Sequence, residues 1–284
     1  MKKEKEIEWM RKFNWSDYGF FETIYFIVFT PIIIIVCGII LVIIKILDFI
    51  RNKKLRKFIR FYAYLISHNL FNPRKLNLLR KVRPFTMVEY EQLSSIYDLA
   101  REIEGSYFIK EKYIKGAFVE CGVWKGGCAG IMAYVANQFS GRQTWLFDSF
   151  EGLPEATDKD GIRASYYTGR CKADYQDVAE LLYNVLKIDP KTVNIKIGLF
   201  QNTLPKAKTE IGDIAILRLD GDWYESTKCC LENLYDNVVE GGYVVLDDYN
   251  HWQGAKLALD EFLAERGLTP KLIKVDSAGI YFKK

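Results

Sequence analysis

The stretch Ala117-Phe118-Val119-Glu120-Cys121-Gly122-Val123-Trp124-Lys125-Gly126-Gly127 decides how the chain is read. An apolar, β-prone run closes on an acid and opens into a glycine-bearing turn, after which Gly127 to Gln138 has the composition of a helix. Strand, glycine turn and helix form the opening unit of a doubly wound α/β fold. Further β-prone runs follow at Thr144 to Phe147, Val193 to Ile197, Ile214 to Leu219, Tyr243 to Leu246 and Leu272 to Val275. Helical candidates at Gln176 to Val185, Ser226 to Val238 and Gly254 to Arg266 lie between them. Such alternation predicts a mostly parallel sheet covered by helices on both faces, with ligands held at the carboxyl ends of the strands.

The glycine spacing, Glu-x-Gly-x-x-x-Gly, is not the dinucleotide fingerprint, and Glu120 at the strand end would repel a pyrophosphate. A cationic cofactor fits better. Glu120 suits the sulfonium and amino-acid end of S-adenosylmethionine, with the glycine backbone beneath its ribose. The competing reading is a strand-glycine-helix turn with no cofactor at all. Asp148 ends the second strand 22 residues beyond Gly126, where a carboxylate that takes both ribose hydroxyls belongs. An Asp capping the next turn is the structural alternative.

Carboxylates recur at two later strand ends. Asp220, with Gly221 and Asp222 behind it, follows Ile214 to Leu219, and Asp247 and Asp248 follow Tyr243 to Leu246. If those strands are neighbours, the acids face one crevice, an unfavourable arrangement unless a cation is bound or a proton retained. Oxygen donors select Mg²⁺, with Mn²⁺ or Ca²⁺ as substitutes, and zinc lacks a Cys/His set because the chain has only two histidines. A metal lowers the pKa of an alcohol and aligns it, so the expected chemistry is transfer of a methyl group to a hydroxyl. Asp220 is expected to be ligand and general base, Asp247 and Asp248 further ligands, and Asp222 the substitute if the register differs. His251 is the alternative base, and helix or turn capping the alternative duty of Asp222, Asp247 and Asp248.

The N-terminal third has a different character. Residues 1–83 carry 17 Lys/Arg against 6 Asp/Glu, whereas residues 84–284 carry 23 against 30. An acidic main domain argues against a nucleic-acid partner. Ile24 to Ile44 is 21 residues without a charge, long enough for a transmembrane helix. It is followed by Lys45, Arg51, Lys53 and Lys54 where a signal-peptide cleavage site would need small residues. The basic excess on its C-terminal side predicts a single-pass membrane protein with its catalytic domain on the cytoplasmic side. Six cysteines without scaffold spacing fit a reducing compartment. Leu55, Phe58, Ile59, Tyr62, Leu65 and Ile66 recur at helical spacing, as on a helix lying on anionic lipid or packed on the domain. The expected organisation is a polar segment 1–23, the span 24–44, a basic juxtamembrane helix and linker 45–83, in which Asn69 to Pro84 is the linker, and the main domain 84–284.

Several motifs then occur in one order: Phe85-Thr86-Met87, the 119–127 turn, Asp148-Ser149-Phe150-Glu151-Gly152-Leu153-Pro154, Asp220-Gly221-Asp222-Trp223-Tyr224-Glu225-Ser226-Thr227, Gly241-Gly242, Asp247-Asp248 and Gly254. Over roughly residues 82–265 the chain resembles the macrocin O-methyltransferase family, whose members methylate sugar hydroxyls of natural products with S-adenosylmethionine and Mg²⁺. The resemblance implies a Rossmann-like class I methyltransferase fold. It also implies cofactor contacts at Glu120, Gly122, Val123, Trp124, Asp148 and Ser149, with Thr86 and Met87 from a covering segment. Metal falls on Asp220, Asp247 and Asp248, with Asp220 as base. Lys125, Cys128 and Trp223 depart from the family pattern. With the expected span, the acceptor would be a membrane-bound or membrane-synthesised glycan. A non-sugar hydroxyl acceptor, a Rossmann-type oxidoreductase and a non-catalytic membrane scaffold are the competing readings, and self-association stays open.

Overall fold

The computed structural model describes residues 53–69, 72–106 and 113–284, with Ile35, Gly38, Ile39 and Val42 as isolated helical positions before them. The chain divides into two compact units, residues 1–72 and 73–284. In the first, helix α1 (Lys53–Asn69) buries Phe61, Leu65 and Asn69 along one line, while Leu55, Phe58 and Ile66 are exposed. Only Leu65 of the expected apolar stripe is on that buried line.

The membrane-spanning helix expected over residues 24–44 is corrected here, and with it the single-pass placement with the catalytic domain on the cytoplasmic side. Among the described residues no helix is long and apolar enough to cross a membrane. A span needs about 20 apolar residues, whereas α1 has 17 and carries Lys53, Lys54, Arg56, Lys57 and Arg60 in its first half. Apart from the four isolated positions, residues 24–44 lie outside the described residues.

The second unit begins with helices α2 (Pro73–Val82) and α3 (Tyr90–Gly105). The stretch read as a linker is therefore largely helix. Pro73 opens α2, a position where its fixed φ and missing N–H cost nothing. Leu78, Leu79 and Val82 are buried, and Lys75 reaches Asp98 at 2.7 Å.

Strands and helices then alternate: β1 (Ala117–Cys121), α4 (Gly127–Gln138), β2 (Thr144–Asp148), α5 (Tyr175–Ala179) running into a π-helical turn (Glu180–Val185), and β3 (Val193–Ile197). Next come α6 (Phe200–Ile211), β4 (Ile214–Leu219), α7 (Tyr224–Leu234), β5 (Val238–Leu246), α8 (Gln253–Glu265), β6 (Ile273–Lys274) and β7 (Ile280–Lys283). The seven strands form one sheet in the order β3-β2-β1-β4-β5-β7-β6. The first five are parallel, as expected, and β7 runs antiparallel between β5 and β6, making the sheet mixed.

Alternate strand residues fill two apolar layers. Val119, Cys121, Phe147, Leu217, Leu219, Val244 and Leu246 pack against Leu204, Ile211, Leu231, Leu234, Leu259 and Phe262 of α6, α7 and α8. The intervening residues, Phe118 and Glu120 on β1 and Arg218 on β4, therefore point to the opposite face. That parity, together with the β1/β4 register that pairs Glu120 with Arg218, sets the polar centre of the molecule.

Candidate active site

The parallel ladder continues one step beyond the strands. Gly122 N donates to Phe147 O at 2.8 Å, Asp220 N to Cys121 O at 2.8 Å, and Asp247 N to Leu219 O at 3.0 Å. The loops leaving β1, β4 and β5 are thereby held side by side before their side chains are considered. Gly122 has φ +90° there, and an added Cβ would lie 1.8 Å from the carbonyl oxygen of Asp220, so the close approach of the two loops requires glycine. A Cβ on Gly127 would meet that of Thr86 at 2.5 Å, which places the covering segment directly against the start of α4.

The residues assigned to the cofactor gather around this turn. Glu120 is buried; its Oε1 accepts from Arg218 at 2.5 Å, and its Oε2 has no partner among the described residues. Burial pushes its carboxyl up to about 8 against the opposing effect of Arg218. Asp148 Oδ2 accepts from the backbone of Val123 at 2.7 Å and of Trp124 at 2.9 Å, and its Oδ1 from Phe150 N at 2.7 Å. The carboxylate thus both ends β2 and shapes the glycine turn, which is the capping role. Ser149 Oγ accepts from Glu151 N at 3.2 Å, and Met87, beside Thr86, is exposed.

The second half of the site is acidic. Carboxylate oxygens of Asp220, Asp222 and Asp248 lie within 4.8 Å of one another, and all three residues are half-buried. Asp247, expected among the ligands, is not in this group; its Oδ1 accepts from Nη2 of Arg218, and Asp222, the expected substitute, stands in the group. Asp222 has φ +58°, an uncommon conformation for a non-glycine residue, and its Oδ1 accepts from Trp252 Nε1 at 2.8 Å. Burial, then the Asp220 charge, raises its carboxyl to about 7. Burial followed by the Asp222 charge raises Asp248. The like charges of such a cluster are what a bound cation would offset.

Sequence reasoning missed Arg218. It is 2% exposed and donates from Nη1 to Glu120 at 2.5 Å and to Asp220 Oδ2 at 2.7 Å, and from Nη2 to Asp247. The signal was there: one charge inside Ile-Ala-Ile-Leu-Arg-Leu, a strand buried on both faces, demands charged partners.

A small aromatic cluster supports the acidic side. Trp223 and Trp252 pack edge to face with centroids 4.9 Å apart, and Tyr167 packs on Trp252 at 5.0 Å. Trp223 Nε1 donates to Pro154 O at 2.8 Å, and buried Asp160 accepts from Tyr224 N at 2.6 Å. The loop 151–170 is therefore tied to the start of α7 beside Asp222. His251, the alternative base, is exposed, stacks edge-on against Trp252 and is absent from the cluster.

Comparison with known proteins accords with this geometry. Residues 72–284 match the family model described as macrocin-O-methyltransferase (TylF). The chain belongs to that family. It is 32% identical over 205 residues to the demethyldecarbamoylnovobiocin O-methyltransferase of Streptomyces niveus, covering 70% of this chain and 75% of the relative. It is 33% identical over 178 residues to the 8-demethyl-8-(2,3-dimethoxy-alpha-L-rhamnosyl)-tetracenomycin-C 4'-O-methyltransferase of Streptomyces olivaceus, covering 60% and 66%. The solved structure of the O-methyltransferase NovP superposes with a TM-score of 0.64 at 31% identity, over 70% of this chain and 82% of that one. The macrocin-family chain is an S-adenosylmethionine-dependent O-methyltransferase, and the oxidoreductase reading falls.

Proposed function

We propose that this enzyme transfers the methyl group of S-adenosylmethionine to a sugar hydroxyl of a glycosylated metabolite, with a divalent cation held by Asp220, Asp222 and Asp248. The observation that carries the reading is the placement of that oxygen cluster one strand away from the glycine turn, since β4 is the direct neighbour of β1. Both groups fit the residues present. The buried, unpartnered Oε2 of Glu120 suits the ammonium of the methionine moiety, and three clustered carboxylates supply the hard oxygen donors of Mg²⁺. The rhamnosyl acceptor named for the Streptomyces olivaceus relative supports a sugar hydroxyl.

When bound, the cofactor supplies an electrophilic methyl and the cation lowers the pKa of the acceptor hydroxyl. Asp220, whose Oδ2 Arg218 holds in place, would accept the hydroxyl proton. Glu120, Asp148 and the Gly122–Trp124 backbone orient the cofactor. The anchored loop 151–170 screens the reacting atoms from water.

Full-length enzyme incubated with S-adenosylmethionine and a panel of glycosides should yield a product one methyl heavier, seen by mass spectrometry. EDTA should abolish it and Mg²⁺ restore it. Transfer to phenols but to no sugar would sink the acceptor assignment, and full activity in EDTA would sink the metal. Asp220→Asn should lower kcat by about 10²–10⁴-fold while leaving the Kd for S-adenosylhomocysteine within a few-fold.

A further inference from the structure

We propose that Arg218 is a positioning residue that couples the cofactor half of the site to the metal half, so that each ligand changes the affinity of the other through one shared guanidinium. The inference rests on the cofactor and metal reading above and goes beyond it. Nη1 divides its two hydrogens between Glu120, on the cofactor side, and Asp220, on the metal side, while Nη2 holds Asp247. No other Lys or Arg among the described residues forms an ion pair with any of these three acids.

The planar fork fixes where each carboxylate can turn. It engages Asp247 and one oxygen of Asp220, and Asp222 and Asp248 complete the cluster with what remains. On the other side it uses Oε1 of Glu120 and leaves Oε2 bare. A cation arriving at Oε2 draws on the charge that now holds Nη1, and the guanidinium redistributes toward Asp220 and Asp247. A divalent cation at Asp220 does the reverse. Because Arg218 is buried near the carboxyl end of β4 and pairs in register with Glu120, it has no route to escape either pull. Thermodynamic linkage requires the coupling to be equal in both directions.

Isothermal titration with Mn²⁺ and with S-adenosylhomocysteine, each in the absence and presence of the other, measures this directly. In the wild type we expect each ligand to shift the Kd of the other by about fivefold or more, by the same factor either way. Arg218→Lys keeps the charge and loses the fork, and in it both ligands should still bind with a coupling factor near one. Should that variant fail to fold, Glu120→Gln removes the cofactor end of the bridge and should erase the coupling likewise, with weaker but measurable cofactor binding. Independent binding in the wild type, or undiminished coupling in the variants, overturns the role of Arg218 and leaves the metal reading standing. Absence of Mn²⁺ binding to wild-type enzyme overturns the metal reading and this inference together.

Discussion

Two competing metal sets differ by a single residue. The motif pattern names Asp247, whereas the geometry groups Asp222 with Asp220 and Asp248 and gives Asp247 to Arg218. Asp222→Asn should therefore weaken Mn²⁺ binding by tenfold or more, and Asp247→Asn by clearly less, in direct titrations. The reverse ranking would restore the motif-based set. At the glycine turn, Gly122→Ala forces a Cβ onto the Asp220 carbonyl at a φ that L-residues avoid, so a loss of more than about 1 kcal/mol is expected in thermal melts. An unchanged melting temperature would show that the two loops can separate. What the sequence made legible at this scale was each acid at its strand end. It did not show which acids Arg218 holds, because partner choice depends on the register between β1, β4 and β5, and spacing along one strand carries no information about register.

The element that frames the acceptor side is the loop 151–170, held at the start of α7 by Asp160 and by the Trp223–Pro154 bond. Asp160→Ala leaves the Tyr224 N–H without its acceptor and frees the loop, at an expected cost of about 1–3 kcal/mol. Limited proteolysis should then cut within 151–170, and KM for the acceptor should rise more than that for S-adenosylmethionine. A loop as resistant as in the wild type would mean that the aromatic cluster alone anchors it. Elements were legible in proportion to how local their signals are. Four of the five parallel strands announce themselves by apolar runs that end at an acid, whereas β3, Val-Asn-Ile-Lys-Ile, runs into Gly198. Helix α2 was hidden because Pro73 and a run of basic residues read as a breaker and a linker, although proline also begins helices. Strand β7 was hidden because Ile280–Lys283 owes its place to antiparallel pairing with β5, a long-range contact with no local mark.

At the scale of the whole molecule, the span was expected from the uncharged run Ile24 to Ile44 and its orientation from the basic excess, and among the described residues no helix is long and apolar enough to cross a membrane. The acidity of the larger unit has a more specific use. Glu120, Asp148, Asp220, Asp222, Asp247 and Asp248 converge at the ends of β2, β1, β4 and β5, and among the described residues Arg218 is the single buried cation bonded to them. Folding draws these carboxylates together against their repulsion, so a cation that binds only the folded enzyme should stabilise it. At a concentration one hundred times its Kd the gain is about 2.7 kcal/mol, which for a unit of this size raises Tm by roughly 5–10 °C. Differential scanning fluorimetry with Mg²⁺ or Mn²⁺ should show that rise in the wild type, and about half of it or less in Asp222→Asn at the same concentration. Equal shifts in both proteins would place the stabilising cation elsewhere, and no shift at millimolar metal would mean that the cluster tolerates its own charge without one.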